Sequence, residues 1–181
     1  MDIPRIFNIT ESAHRIHNPF TPEKLATLGA ALRLELGTRV LDLGSGSGEM
    51  LCTWARDHGI SGTGIDMSQL FTEQAKLRAE ELGVADRVEL IHGDAAGYVA
   101  DEKVGLAACL GATWIGGGVA GTIELLAESL RTGGIILIGE PYWLQLPPTE
   151  DVAKGCLAGS TSDFLTLPQL LASFGHLGYD V

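Results

Sequence analysis

The run Val40-Leu41-Asp42-Leu43-Gly44-Ser45-Gly46-Ser47-Gly48-Glu49 constrains the fold more than any other stretch of the chain. Its first half is β-rich and apolar. The glycines that follow let the backbone bend sharply and approach a ligand closely. Beyond them, Met50, Leu51, Trp54 and Ala55 share one helical face, and Gly59 stops the segment. Strand, glycine loop and helix in that order open an α/β sheet.

The rest of the chain repeats the alternation. Strand-like runs are expected over residues 39–43, 61–67, 87–91, 104–110 and 135–139. The fourth is apolar throughout, as a strand buried on both faces should be. Helices fill the gaps. Ser68 caps one in which Phe71, Ala75, Ala79 and Leu82 share a face, and Gly83 ends it. Thr21-Pro22-Glu23 announces another ahead of the first strand, reaching to about Leu34. A short helix is expected over 95–102, and a third longer one from Gly116-Gly117-Gly118 to about Leu130. Arg131-Thr132-Gly133-Gly134 reads as a turn, 141–165 as a polar loop, and the residues after Thr166 as a last helix. Such alternation implies right-handed crossovers and a doubly wound, mostly parallel sheet with helices on both faces.

Composition excludes several alternatives. With 181 residues, 45% of them apolar, the chain fills one core and leaves little room for a second. A net charge of −11 repels phosphate backbones, so nucleic acid is not the expected partner. Cys52, Cys109 and Cys156 are scattered and odd in number, which suggests neither a disulfide framework nor a zinc knuckle. Reduced thiols, no secretory pattern at the N-terminus and no apolar run long enough to span a bilayer give a soluble, cytoplasmic expectation without a membrane partner.

The loop spacing narrows the ligand. A dinucleotide fingerprint, GxGxxG, needs a third glycine where Glu49 or Leu51 stands. The actual pattern is D-x-G-x-G-x-G. Asp42 on the strand itself is unfavourable beside a pyrophosphate and favourable beside a cationic ligand, directly or through water.

This stretch resembles the first motif of class I S-adenosylmethionine (SAM)-dependent methyltransferases, and four further segments resemble that family in the same order. Gly64-Ile65-Asp66-Met67-Ser68 is similar to the acidic end of its second strand, where the carboxylate takes both ribose hydroxyls and the next residue packs on adenine. His92-Gly93-Asp94-Ala95-Ala96 resembles its adenine-end loop, in which an Asp accepts from the exocyclic amine. Leu110-Gly111-Ala112 is placed like the segment passing the methionine part of the cofactor. Leu130-Arg131-Thr132-Gly133-Gly134-Ile135 resembles its L-x-x-G-G turn. The resemblance covers residues 21–181 and implies a SAM site made of Asp42, Gly44, Ser45, Gly46, Gly48, Asp66, Met67, Asp94, Ala95 and Leu110. It points to a bacterial branch of small-molecule methyltransferases without supplying the acceptor.

The family has no universal catalytic residue, because methyl transfer from a sulfonium is chiefly positioning, worth about 7–11 kcal/mol. A base is needed only where the nucleophile must lose a proton. Residues 1–20 form the expected N-terminal lid, whose His14 and His17 are candidates for a base or polar contact. They make no metal site, since no nearby carboxylate pair completes one. Glu140 is a third candidate, at the ligand-bearing edge of the sheet. Trp114 presents a ring to the sulfonium or to a flat acceptor, or packs in the core, and Tyr142 and Trp143 are further acceptor candidates. The run N/D-P-P-Y/F of amino-methylating nucleic-acid enzymes is absent after the fourth strand, where Gly111-Ala112-Thr113-Trp114 stands, and neither Cys109 nor Cys156 has the setting of a base-carbon methyltransferase. A small molecule is therefore the expected acceptor. A SAM-binding module without enzymatic activity shares every cofactor motif. A nicotinamide oxidoreductase requires the missing glycines.

The chain stops at Gly178-Tyr179-Asp180-Val181, which reads as the entry to a sixth strand. The family closes its sheet with a sixth and an antiparallel seventh strand. A truncated domain is therefore expected, with an apolar fifth-strand edge open to homodimer pairing.

Overall fold

A computed structural model describes residues 5–156 and 158–181. Residues 1–4 of the expected lid lie outside the described residues. The chain divides into a unit ending at Gly139 and a second unit, Glu140–Val181.

The first unit is a parallel five-stranded sheet with helices in three of its four strand-to-strand connections. Its strands are β1 (Arg39–Leu43), β2 (Ser61–Asp66), β3 (Val88–His92), β4 (Val104–Leu110) and β5 (Leu130–Gly139), in the order β3-β2-β1-β4-β5. Its helices are α1 (Arg5–Glu11), α2 (Pro22–Leu32), α3 (Glu49–His58), α4 (Gln69–Glu81) and α5 (Val119–Ser129). The connection reverses direction between β1 and β4, so the carboxyl ends of these two strands flank the crevice where open α/β sheets bind ligands.

The apolar strands divide their side chains between the two faces. Val40, Leu106 and Ala108 join Leu51, Trp54 and Ile60 in one core cluster. Their neighbours Leu41, Ala107 and Cys109 join Leu43, Ile65 and Leu126 in the other. A period of two on strands covered on both sides explains why sequence alternation is missing there. Each fully buried leucine or isoleucine contributes about 1.5–3 kcal/mol. The Trp54 indole N–H donates to the Leu25 carbonyl at 3.3 Å, docking α2 on α3.

Several elements depart from the sequence expectation. The stretch 95–102 is not helical: Gly97 takes φ +75°, a left-handed geometry that breaks a helical turn. β5 begins at Leu130 instead of 135, because the expected turn is drawn into the sheet across an irregularity opposite Val104 and Leu106. α1 falls where no period was legible. A 3-10 turn, Thr113–Gly116, precedes the glycine stretch before α5.

In the second unit the expected loop contains α6 (Glu150–Gly155), capped by the Thr149 hydroxyl, and is followed by α7 (Leu167–His176). Thr166 and Gln169 form the capping box of α7. The Trp143 indole N–H donates to the Thr161 carbonyl at 3.1 Å, and its ring meets Phe164 edge-on at 5.4 Å.

Candidate functional site

The glycine loop leaves β1 and is tied at once to β2. The amides of Gly44 and Ser45 both donate to the Ile65 carbonyl, at 2.9 and 3.1 Å. The Gly46 amide donates to Asp66 Oδ2, and the Ser68 amide to Oδ1, each at 2.8 Å. The Asp66 carboxylate thus fixes the loop and the start of α4, and each of its oxygens keeps a further lone pair for a ligand. Gly48, at φ +71°, is the N-cap of α3.

Beside this loop lies a cavity of about 640 Å³. Asp42, Gly44, Ser45, Gly46, Asp66, Met67, Asp94, Ala95 and Leu110 line it, as do His17 and Trp114. Nine of the ten residues assigned to cofactor binding from the sequence therefore share one cavity, and Gly48 stands behind the loop. Trp114 is on the 3-10 turn and is 60% exposed, so it is not a core residue. Asp94 Oδ1 accepts from the Ala96 amide at 2.9 Å, which shapes its own turn. The His92 ring nitrogen Nε2 donates to the Met67 carbonyl at 3.0 Å.

Asp42 is buried, and burial, reinforced by the like charge of Asp66, pushes its carboxyl up to about 7. A positive ligand group stabilises the ionised form of such a carboxyl. Glu49, next along, is held by Arg78 in a two-pronged pair, Nε to Oε2 at 2.8 Å and Nη2 to Oε1 at 2.9 Å.

The segment between α1 and α2 crosses this cavity. Asn18 Nδ2 donates to the Leu110 carbonyl at 3.1 Å, and Gln74 Nε2, from α4, donates to the Ser12 carbonyl at 2.8 Å. The His17 ring stands 4.2 Å from that of Phe71. Its Nε2 lies 3.1 Å from both the Ser47 hydroxyl and the His14 carbonyl. Burial lowers the His17 pKa below the usual imidazole value. His14 does not line the cavity: its ring is exposed and bonds Glu11 at 2.9 Å. Glu140, Tyr142 and Trp143 belong to the second unit. The sequence reading missed Asn18, Phe71 and Gln74. Their partners lie far along the chain, and no local pattern marks them.

The donor set fits a cofactor carrying vicinal hydroxyls and positive charge. It offers the carboxylates of Asp42, Asp66 and Asp94, a loop with left-handed glycines at 44 and 46, and the Leu110 carbonyl. The glycine requirement is explicit at Gly46, where a Cβ would stand 2.8 Å from His17 Nδ1, and at Gly44, where it would stand 2.8 Å from the Ala112 Cβ.

Residues 40–134 match the model of a family described as a methyltransferase domain. The whole chain is 74% identical to the Escherichia coli protein YjhP, over 73% of that protein's length. A SAM-dependent methyltransferase from Geobacter sulfurreducens, solved with S-adenosyl-L-homocysteine (SAH), superposes with a TM-score of 0.98 and 87% identity, over 99% of this chain and 72% of that one. A second, from Thiobacillus denitrificans and also with SAH, gives 0.96 and 80%, over 100% and 73%. Among the described residues no helix is long and apolar enough to cross a membrane. Domain match, parallel sheet and glycine cradle agree, and the chain belongs to the methyltransferase-domain family as a class I SAM-dependent methyltransferase.

Proposed function

We propose that the chain transfers the methyl group of SAM to a small-molecule acceptor held in the cavity beside the glycine loop. The observation that carries this reading is the make-up of the cavity wall. Ile16, Phe20, Trp114 and Ile115 supply apolar and aromatic surface, and the ionisable groups near them are mostly carboxylates. That suits a neutral or cationic organic molecule and disfavours a polyphosphate or nucleic acid.

Bound, SAM supplies an electrophilic methyl on a positively charged sulfur. The chain's own groups bind and orient. Asp66 offers lone pairs to ribose hydroxyls, Asp94 accepts from the adenine amine, Met67 packs on the ring, and Asp42 provides negative charge on the sulfonium side. Residues 5–20 act as a lid that excludes water, a role supported by the bonds from Asn18 to Leu110 and from Gln74 to Ser12.

The test is a screen of a whole bacterial cell extract, metabolites and macromolecules separated after reaction with methyl-labelled SAM and read by mass spectrometry. The expected outcome is one or more small molecules gaining a single label. Label incorporated only into RNA or protein overturns the acceptor class. No incorporation at all, with SAM bound, favours a binding module.

A further inference from the structure

The polar atoms around His17 can be ordered by which of them have no choice. The Ser12 carbonyl only accepts, so the Gln74 amide must present Nε2 to it, and the bond is 2.8 Å. Gln74 Oε1 then faces Ser47 and accepts its hydroxyl proton at 2.8 Å. Ser47 has thereby spent its donor and offers only lone pairs to His17 Nε2 at 3.1 Å. The His14 carbonyl, also 3.1 Å from Nε2, likewise only accepts. Both neighbours of Nε2 are acceptors, so Nε2 carries the hydrogen and Nδ1 carries the lone pair.

That lone pair belongs to the cofactor side. Nδ1 is the His17 atom nearest the position that a Cβ on Gly46 would take, 2.8 Å from it, so it lies against the glycine loop. The Gly46 amide in turn binds Asp66 Oδ2 at 2.8 Å. Nδ1 and the Asp66 carboxylate therefore flank one loop glycine in one cavity. The ring is half-buried against Phe71, and burial keeps it neutral, so Nδ1 is an acceptor at neutral pH. Two acceptors on either side of Gly46 match the two donors of a vicinal diol.

We propose that His17 contacts the cofactor directly, its Nδ1 accepting a hydrogen bond from one ribose hydroxyl while Asp66 accepts from the other. The inference rests on the assignment of Asp66 to the ribose made above and narrows it: each ribose hydroxyl has one hydrogen to donate, so Asp66 takes one hydroxyl and not both. It gives the lid a chemical function: the residue that closes the segment over the cavity also reads the sugar. Ser47 and Gln74 act through His17 and are positioning residues.

The experiment is calorimetric titration of the full chain with SAH and with its 2′-deoxy and 3′-deoxy analogues. Two substitutions separate the two ring nitrogens. His17→Asn puts an oxygen acceptor where Nδ1 stands, and His17→Gln puts an amide nitrogen where Nε2 stands but leaves only a methylene in place of Nδ1. The expected result is about tenfold weaker SAH binding by H17Q, less than threefold by H17N, and one deoxy analogue that the unaltered chain binds about tenfold less tightly than SAH but that H17Q does not distinguish from SAH. Equal SAH affinity for H17Q and the unaltered chain overturns the proposal. So does a deoxy penalty of the same size in both, and, with no substitution needed, equal binding of SAH and both deoxy analogues by the unaltered chain. Asp66→Asn separates the two levels. If D66N weakens SAH binding and H17Q does not, only the role of His17 falls. If D66N binds SAH normally, the assignment of Asp66 falls, and the proposal with it.

Discussion

Asp66 receives the Gly46 amide on Oδ2 at 2.8 Å, and this bond holds the glycine loop against the end of β2. The same carboxylate receives the Ser68 amide on Oδ1, so it also starts α4. Loop position and helix start therefore share one residue. Asp66→Asn forces an amide N–H toward one of these two backbone donors and leaves that donor without its acceptor. The expected loss is about 1–3 kcal/mol in urea denaturation, with weaker SAH binding in calorimetry. Loss of affinity at unchanged stability would assign Asp66 to the ligand alone.

Asp42 sets a pH dependence whose sign follows from its raised carboxyl, at about 7 in the folded chain against 3.8 ordinarily. The folded state holds that proton more tightly than the unfolded state. The contribution is therefore fully present below the ordinary carboxylate range, declines as pH rises toward about 7, and is flat above. Its size is on the order of a few kcal/mol. Asp42→Asn lacks the group, so the stability difference between D42N and the unaltered chain should grow in favour of D42N from pH 4 to pH 7 and then level off. Denaturation midpoints at several pH values check this. SAM, with its positive sulfur, should also release a proton on binding near pH 7, seen as a buffer-dependent enthalpy in calorimetry, while uncharged buried groups predict none.

Glu49 and Arg78 join the first turn of α3 to α4, with side chains only 10% and 18% exposed. Arg78 also bonds Glu81 at 3.0 Å. Arg78→Met strands the Glu49 carboxylate beside the cavity and should cost about 3 kcal/mol or more. The double variant E49Q/R78M removes both charges and should recover most of that loss. Thermal denaturation of the single and double variants reads the coupling, and additive losses would show that the pair is screened.

The parts of this molecule that were legible in the sequence are those whose cause is local. The glycine loop, the caps at Thr21, Ser68 and Thr166, and the apolar runs of β1 and β4 each carry their signal within a few residues. α1 was not legible, because Ile6, Phe7 and Ile9 are all exposed and form no buried stripe. α6 was hidden behind Pro147 and Pro148, which mark a loop more strongly than the Thr149 cap marks a helix. In the site, the resemblance of five motifs to one family pointed to nine residues that line the cavity. The attachments of the segment between α1 and α2 are pairings across long stretches of chain, such as Asn18 with Leu110 and Ser12 with Gln74, and depend on packing that no spacing encodes. His14 and His17 look equivalent in sequence, but only one of them lines the cavity.

Gly46 supplies the last test, because the glycine loop and the segment carrying His17 meet there. Its φ is +53°, a left-handed geometry that costs a residue with a Cβ about 1 kcal/mol. The added methyl of Gly46→Ala would also stand 2.8 Å from His17 Nδ1, inside any normal contact distance, so either the loop or the imidazole must move. If the loop moves, the bond from its amide to Asp66 stretches. If the imidazole moves, its bonds to Ser47 and the His14 carbonyl are lost. Both routes weaken SAH binding and lower stability, by about 2 kcal/mol for the strain and collision together. The two contributions separate in a cycle. His17→Ala removes the atom that the new methyl strikes but leaves the backbone strain, so the G46A/H17A double variant should be more stable than the sum of the single losses predicts. Urea denaturation of the four proteins measures that coupling. Strict additivity would mean that His17 does not press on the glycine loop in solution.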